Sequence, residues 1–422
     1  MQTDTPLSTR QGLAYGAMGL PLAFVALPLY VILPNHYATE FGMPLATLGL
    51  VLLGARLLDA VIDPAIGRWC DRLFARSPRQ ILVMAAFAAV VLAAGFGLLF
   101  FPSTRAPNLL LVWASVFLVI TYAAYSALSV AHQSWGAMLG GDEVQRSRIV
   151  AWREGLALIG VVLASMAPVL LGLPGTWMLF CASLVAGWLA WSRALRPVAR
   201  QALQQHSLWL PLQLPQFRRL LGIFVLNGIA SAIPATLVLF FVQDRLQAPR
   251  SLEPVFLGTY FVCAAASMPL WLQLVRRIGL TRSWLCGMLV AVAAFVWAAT
   301  LGTGDTLAFI VVCAASGVAL GTDLALPGAM LSGLIARAGH RGHLEGAYFG
   351  WWNFATKLNL ALAAGLALPL LAMFGYSPGA RDASALGALT LAYCLLPCLL
   401  KLAAATLLYQ HHQHMRASGE PA

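Results

Sequence analysis

Twelve largely apolar stretches, each reaching the roughly 20 residues that a membrane span needs, run through this chain with only short connections between them. They lie near 11–34, 45–67, 80–101, 108–135, 147–171, 175–194, 216–242, 253–275, 283–301, 306–335, 344–374 and 384–409. A lipid bilayer offers no water to a backbone N–H or C=O, so a stretch of this length must satisfy its own polar groups as a helix. Only 10% of the 422 residues are charged and 60% are apolar, with a mean hydropathy of +0.80. A soluble chain carries about a quarter charged residues. The expected fold class is therefore an all-α polytopic membrane protein with little mass outside the bilayer. No small-residue cleavage site follows the first stretch, which reads as a retained helix and not as a leader.

The longest connection, 195–215, carries Arg196, Arg200, His206 and three prolines and divides the spans six and six. The expected organisation is an N-terminal six-helix half over 1–194, a linker over 195–215, a C-terminal six-helix half over 216–410 and a polar tail over 411–422. The net charge of +11 invites a nucleic-acid partner, but the arginines alternate between connections. One set of segments holds Arg10, Arg68, Arg72, Arg76, Arg79, Arg146, Arg148, Arg153, Arg193, Arg196, Arg200, Arg218, Arg219, Arg276, Arg277, Arg282, Arg337, Arg341 and Arg416. The other set holds Arg105, Arg245, Arg250 and Arg381. This is the positive-inside asymmetry. It puts both termini in the cytoplasm, supports an even helix count and replaces nucleic acid with the lipid bilayer as the partner.

Several chemistries are not encoded. There is no GxxxxGK[ST] phosphate loop and no HExxH motif, which argues against a self-powered pump or a metalloprotease. The seven cysteines are scattered through apolar segments without a CxxC and read as packing residues. His411-His412-Gln413-His414 reads as a polar tail, and no metal or organic cofactor is expected. The chain reads as no enzyme.

Ionisable residues inside the spans are the informative exceptions, because each costs roughly 2.5–3.5 kcal/mol at the bilayer centre on insertion scales. Arg56-Leu-Leu-Asp59-Ala-Val-Ile-Asp63-Pro64 puts two carboxylates four residues apart, on one helix face. Two acids with a nearby hydroxyl or carbonyl suit a hard monovalent cation, and acids this close can also hold a proton. Lys357 lies in the middle of the eleventh span, too deep to snorkel, whereas Lys401, nearer the end of the twelfth, reads as a snorkelling residue. Arg153 could bind a substrate hydroxyl or anion; Glu154 beside it points about 100° away and reads as a local ion-pair partner. Asp323 lies in a helix interrupted by Gly321 and Pro327, with a substrate or proton role expected. Asn227, Gln133 and His132 are weaker candidates, and Tyr122, Tyr125, Tyr348, Trp351 and Trp352 could form an aromatic platform.

Two six-helix halves around a central cytoplasmic loop resemble the major facilitator architecture, in which substrate sits at mid-membrane between the halves. Gly67-Arg-Trp-Cys-Asp71-Arg72 resembles that superfamily's loop signature: the Gly lets helices approach, and the acid can cap a neighbouring helix end. The Arg56–Pro64 run, Glu345-Gly-Ala-Tyr-Phe-Gly-Trp-Trp-Asn353-Phe-Ala-Thr356-Lys357 with Phe374-Gly-Tyr376, and the spacing of Arg146, Arg148 and Arg153 resemble helices 2, 11 and 5 of the glycoside–pentoside–hexuronide cation symporters, typified by melibiose permease. The resemblance implies that Asp59 and Asp63 bind Na+ or H+ as the coupling ion, with Lys357 close by.

The likeness fails at the sugar site. The family's helix-1 acid is absent, because Tyr15-Gly-Ala-Met-Gly19 runs on into Leu20-Pro21, and Ser126 stands where helix 4 would supply a second acid. The substrate is expected to meet Tyr15, Tyr122, Ser126, Arg153, Asp323, Trp352 and Asn353. The function implied is cation-coupled symport of a small, sugar-like solute by alternating access, as a monomer in a bacterial inner membrane. An amphipathic or lysolipid-like cargo is the first alternative, and a non-transporting membrane scaffold or enzyme on the same fold is the second.

Overall fold

The computed structural model describes residues 7–43, 45–197, 207–376 and 379–417. Residues 198–206 of the expected linker and 418–422 of the expected tail lie outside the described residues. The described chain is helical throughout. In order it forms α1 (Thr9–Gly16), α2 (Gly19–Leu27), α3 (Leu33–Phe41), α4 (Leu45–Arg76), α5 (Pro78–Phe100), α6 (Pro107–Leu139), α7 (Glu143–Ser192), the single turn α8 (Leu210–Gln213), α9 (Pro215–Phe240), α10 (Glu253–Ile278), α11 (Leu280–Ala298), α12 (Thr306–Arg337), α13 (Glu345–Met373), α14 (Ala383–Thr390) and α15 (Leu396–Ala417). Eight helices among the described residues are long and apolar enough to cross a bilayer by length and composition.

The helix boundaries follow local chemistry. The expected first span is divided by a turn at Ala17–Met18 and by a π-helical turn over Pro28–Ile32, where Pro28 has no N–H to donate. The expected fifth and sixth spans appear as one long run, α7, that contains a non-helical residue, Gly172, with φ 66 and ψ 177. Only glycine adopts that conformation without strain. Pro174 follows two residues later, so the sequence places its break where the two expected spans meet.

The chain divides into two compact units. Unit 1 comprises residues 1–211 with 332–354; unit 2 comprises 212–331 with 355–422. The last turn of α12, the following turn and the first turns of α13 thus pack with unit 1.

Within unit 1, α1 and α2 lie against α7 along small residues. A β-carbon on Gly19 would overlap the Arg153 carbonyl, and one on Gly160 would overlap the Leu20 carbonyl. Backbones can approach this closely only where one side lacks a side chain, which is how membrane helices associate without a hydrophobic driving force. Large aromatics fill the rest, among them Phe24, Phe96, Phe180, Trp135 and Trp191, all buried.

Within unit 2, α9, α11 and α15 pack together. One apolar cluster gathers Leu237, Phe241, Phe309, Leu389 and Tyr393, with the Phe241 and Tyr393 rings stacked at 4.3 Å. Both rings sit on π-helical turns, Phe241–Arg245 and Leu391–Leu395. The extra residue in such a turn re-aims the side chains that follow it.

Candidate functional site

The paired acids lie on α4 in unit 1, and both are buried: Asp59 is 4% exposed and Asp63 not at all. Pro64, inside the same helix, cannot donate to the Ala60 carbonyl, so an acceptor is released from the ladder next to Asp59. From α6, Ser126 Oγ donates to Asp59 Oδ1 at 2.7 Å. Ser126 therefore serves the acid pair directly. Arg56, one turn before Asp59, is exposed, and its guanidinium reaches the Tyr122 hydroxyl.

A second group adjoins the acids. Arg153 donates from Nε at 2.9 Å and Nη2 at 2.5 Å to Glu154 Oε1. Adjacent helical positions were expected to diverge, but both side chains are long enough to bend together, and both are mostly buried. Arg153 also reaches the Tyr15 hydroxyl. Tyr125, half-buried, lies in the field of all four charges, Asp59, Asp63, Arg153 and Glu154. In the sequence it is one of several possible platform aromatics, and no spacing signal marks it out.

Tyr15 is locked by packing. Its hydroxyl donates to the His132 carbonyl at 3.0 Å, His132 Nε2 lies 2.8 Å from the Tyr15 carbonyl, and the rings stack at 4.4 Å. At 1% exposure Tyr15 joins α1 to α6 and presents almost no surface to a solute, unlike the substrate contact expected for it. Tyr122 is equally buried.

The loop signature has a clear structural role. A β-carbon on Gly67 would overlap the Gly346 carbonyl, and one on Gly346 would overlap the Gly67 carbonyl. Four residues on, Asp71 Oδ1 and Oδ2 accept from the backbone N–H groups of Gly346 at 2.6 Å and Ala347 at 2.8 Å. These are orphan donors at the start of α13, and an acid is the favoured partner there. At the other end of the segment, Arg341 Nη2 donates to the Met138 and Leu139 carbonyls at 3.3 and 3.1 Å, capping the end of α6. Arg72 is exposed. Trp352 and Asn353 follow on α13 and are largely buried.

In unit 2, Asp323 is the centre of a network. Its Oδ1 accepts from Asn227 Nδ2 at 3.0 Å and Trp284 Nε1 at 2.9 Å. Its Oδ2 accepts from Ser231 Oγ at 3.2 Å and Lys401 Nζ at 2.8 Å. Lys401 also donates to Asn227 Oδ1 at 2.8 Å. Asn227 and Ser231 are i and i+4 on α9, so one helix face serves one carboxylate. Lys401 is 4% exposed and does not snorkel. Its ammonium is instead held in the bundle by a carboxylate and an amide, the condition under which a buried charge is tolerable. Lys357 lies half-buried on α13 in the same unit.

The family described as MFS/sugar transport protein matches residues 12–412, nearly the whole chain. The chain belongs to that family. It is a multi-pass membrane transport protein and not an enzyme. Among relatives, it is 27% identical over 38% of its length to the inner membrane symporter YicJ of Escherichia coli K12, a match spanning 35% of YicJ. It is 22% identical over 94% of its length to YagG of the same organism, named as a glycoside/cation symporter, spanning 90% of YagG. Among solved structures, a form of the Escherichia coli fucose:proton symporter FucP superposes with a TM-score of 0.70 over 94% of this chain and 98% of FucP, at 15% identity. That likeness speaks to the fold alone.

Proposed function

We propose that this transport protein is a cation-coupled symporter of a small, sugar-like solute, working by alternating access, with Na+ or H+ held at Asp59 and Asp63. The observation that carries the reading is the burial of two carboxylates one turn apart on α4, with the Ser126 hydroxyl on one of them and a carbonyl released by Pro64 beside them. Carboxylate, hydroxyl and carbonyl oxygens are the donor set that a hard cation selects. Two adjoining buried acids with no such duty would be an expensive structural choice. The names of YagG and YicJ support symport.

The solute site has Arg153, Asn353 and Trp352 as its candidates in unit 1. The architecture proposed around it is twelve spans in two halves, 1–194 and 216–410, joined by 195–215. Both termini are cytoplasmic, as the arginine distribution supports, in a bacterial inner membrane.

The test uses purified protein and membrane vesicles. Na+ at fixed pH, or acid at fixed Na+, should raise the thermal midpoint of the wild-type protein. Asp59→Asn and Asp63→Asn should each abolish that protection and abolish gradient-driven uptake across a panel of glycosides, while inserting normally. Ion protection that survives in the double variant would refute the cation site.

A further inference from the structure

Beyond the acid pair of unit 1, unit 2 contains a cavity of its own, of about 270 Å3. At one end stand Ser231, Asp323 and Lys401; the walls are largely apolar and include Phe256, Tyr260, Phe295 and Tyr393. We propose that this cavity is a binding site for a neutral, compact and mostly apolar molecule carrying one or two hydroxyl or carbonyl groups, an alkylphenol being the model of the class.

The chemistry of the polar end selects against other ligands. Asp323 has four lone-pair positions and four donors on them, from Asn227, Trp284, Ser231 and Lys401. It is saturated and has nothing left for a cation. Lys401 spends two of its three hydrogens, on Asn227 and Asp323, and retains one. That N–H asks for an acceptor. The pair is already neutral in sum, and its side chains are only 5% and 12% exposed. An anion or cation entering would therefore be stripped of water without a free counter-charge. Ser231 donates to Asp323 and keeps its oxygen lone pairs, so it can accept from a ligand hydroxyl. Tyr260 and Tyr393 are the two tyrosines of the lining.

The apolar walls exclude a free sugar. A hexose carries several hydroxyls, each of which must be re-bonded once it leaves water. Beyond Ser231 and the two tyrosines, the wall supplies only the Ser316 hydroxyl, whose hydrogen already goes to the Val312 carbonyl. An aromatic or alicyclic body packed against the rings, with one hydroxyl that accepts from Lys401 and donates to Ser231, matches both the apolar walls and the polar end of the cavity. The volume lies at the small end of ligand pockets, about 300–1,000 Å3, and so favours one ring over a long chain.

The test is photolabelling of the purified full chain in lipid nanodiscs with a diazirine derivative of 4-propylphenol, mapped by peptide mass. Label should fall on the stretches that line the cavity, 231–238, 256–261, 291–295 and 313–323, or at Tyr393 or Lys401. Unlabelled 4-propylphenol should compete roughly tenfold better than propylbenzene, as expected for one hydrogen bond to a charged donor. Sodium 4-propylbenzoate should compete less well than the phenol. Ser231→Ala should narrow the gap between phenol and hydrocarbon, and Leu257→Trp, at a cavity-lining position partly open to the outside, should block labelling. If Leu257→Trp does not fold, the competition series on the wild-type chain decides. Equal competition by propylbenzene would mean that a lipid tail or detergent fills the cavity, and the proposal fails. Best competition by the benzoate would make it an anion site and also refute it, as would label placed elsewhere. Asp59→Asn should label like the wild type, which separates this site from the cation site.

Discussion

The Asp323–Lys401 pair gives the sharpest energetic expectation. Lys401→Met leaves Asp323 with three neutral donors in a bundle interior and without its ammonium partner. Removing one partner of a buried pair costs about 3–5 kcal/mol, because the survivor is left uncompensated. Asp323→Asn should fall at the lower end of that range, since Lys401 still has the Asn227 oxygen and a carbonyl at position 323. The double variant Asp323→Asn/Lys401→Met removes both charges together. Replacing a whole buried pair by neutral groups is often close to neutral. The double variant should therefore be more stable than Lys401→Met alone, with a coupling energy of roughly 2–3 kcal/mol. The assay is a double-mutant cycle on unfolding in one detergent, all four proteins at the same pH and salt. Losses that add to within about 0.5 kcal/mol would show that the two charges are not coupled and would refute the argument.

Three further outcomes follow from unit 1. Gly67→Ala and Gly346→Ala each force a β-carbon into the facing glycine backbone, and each should destabilise the protein by about 1–3 kcal/mol in the same unfolding assay, whereas Gly222→Ala, in open space on α9, should not. Ser126→Ala removes a hydroxyl from Asp59 and should weaken cation protection by roughly tenfold, read as a shift in the ion concentration for half-maximal thermal protection; an unchanged midpoint would remove Ser126 from the site. Asp71, at the end of α4 beyond the expected span, has its carboxyl raised well above the ordinary range by burial first and by Glu345 second. A carboxyl with a raised folded-state pKa binds its proton more tightly folded than unfolded, so its contribution to stability is largest at low pH and declines as pH climbs from the ordinary carboxylate value through the raised one. Asp71→Asn should flatten that part of the pH–stability curve, and an unchanged slope would assign it to another group.

How far the sequence reached depended on whether a residue's role is local. The membrane-spanning class was legible because apolar length is a one-dimensional property. The acid pair was legible because i, i+4 spacing is enough to place Asp59 and Asp63 on one face. The Gly67–Asp71 signature was legible as a close approach and a helix cap, but not the donors it caps, which lie 275 and 276 residues away in the chain. Lys401 shows why the rest was hidden. A lysine near the end of an apolar span has two solutions, to reach the interface or to turn inward onto an acid, and nothing in its neighbours' sequence chooses between them. The choice is made by Asn227 and Ser231 on α9, Trp284 on α11 and Asp323 on α12, four residues on three other helices. Of these, only Asp323 and Asn227 stood out in sequence, because a serine or a tryptophan in a membrane span is too ordinary to signal anything. The same holds for Ser126. Its position suggests a lost sugar ligand, yet its hydroxyl is on Asp59, which supports the proposed ion site over a solute contact. Under the proposed function, a hydroxyl on the acid pair, where the resemblance implies a solute-binding acid, leaves the ion site its donors and gives the solute a different partner. The cargo should accordingly differ from a melibiose-type sugar. The decisive comparison is Ser126→Asp: if it restored uptake of an α-galactoside without loss of ion protection, Ser126 would belong to the solute after all.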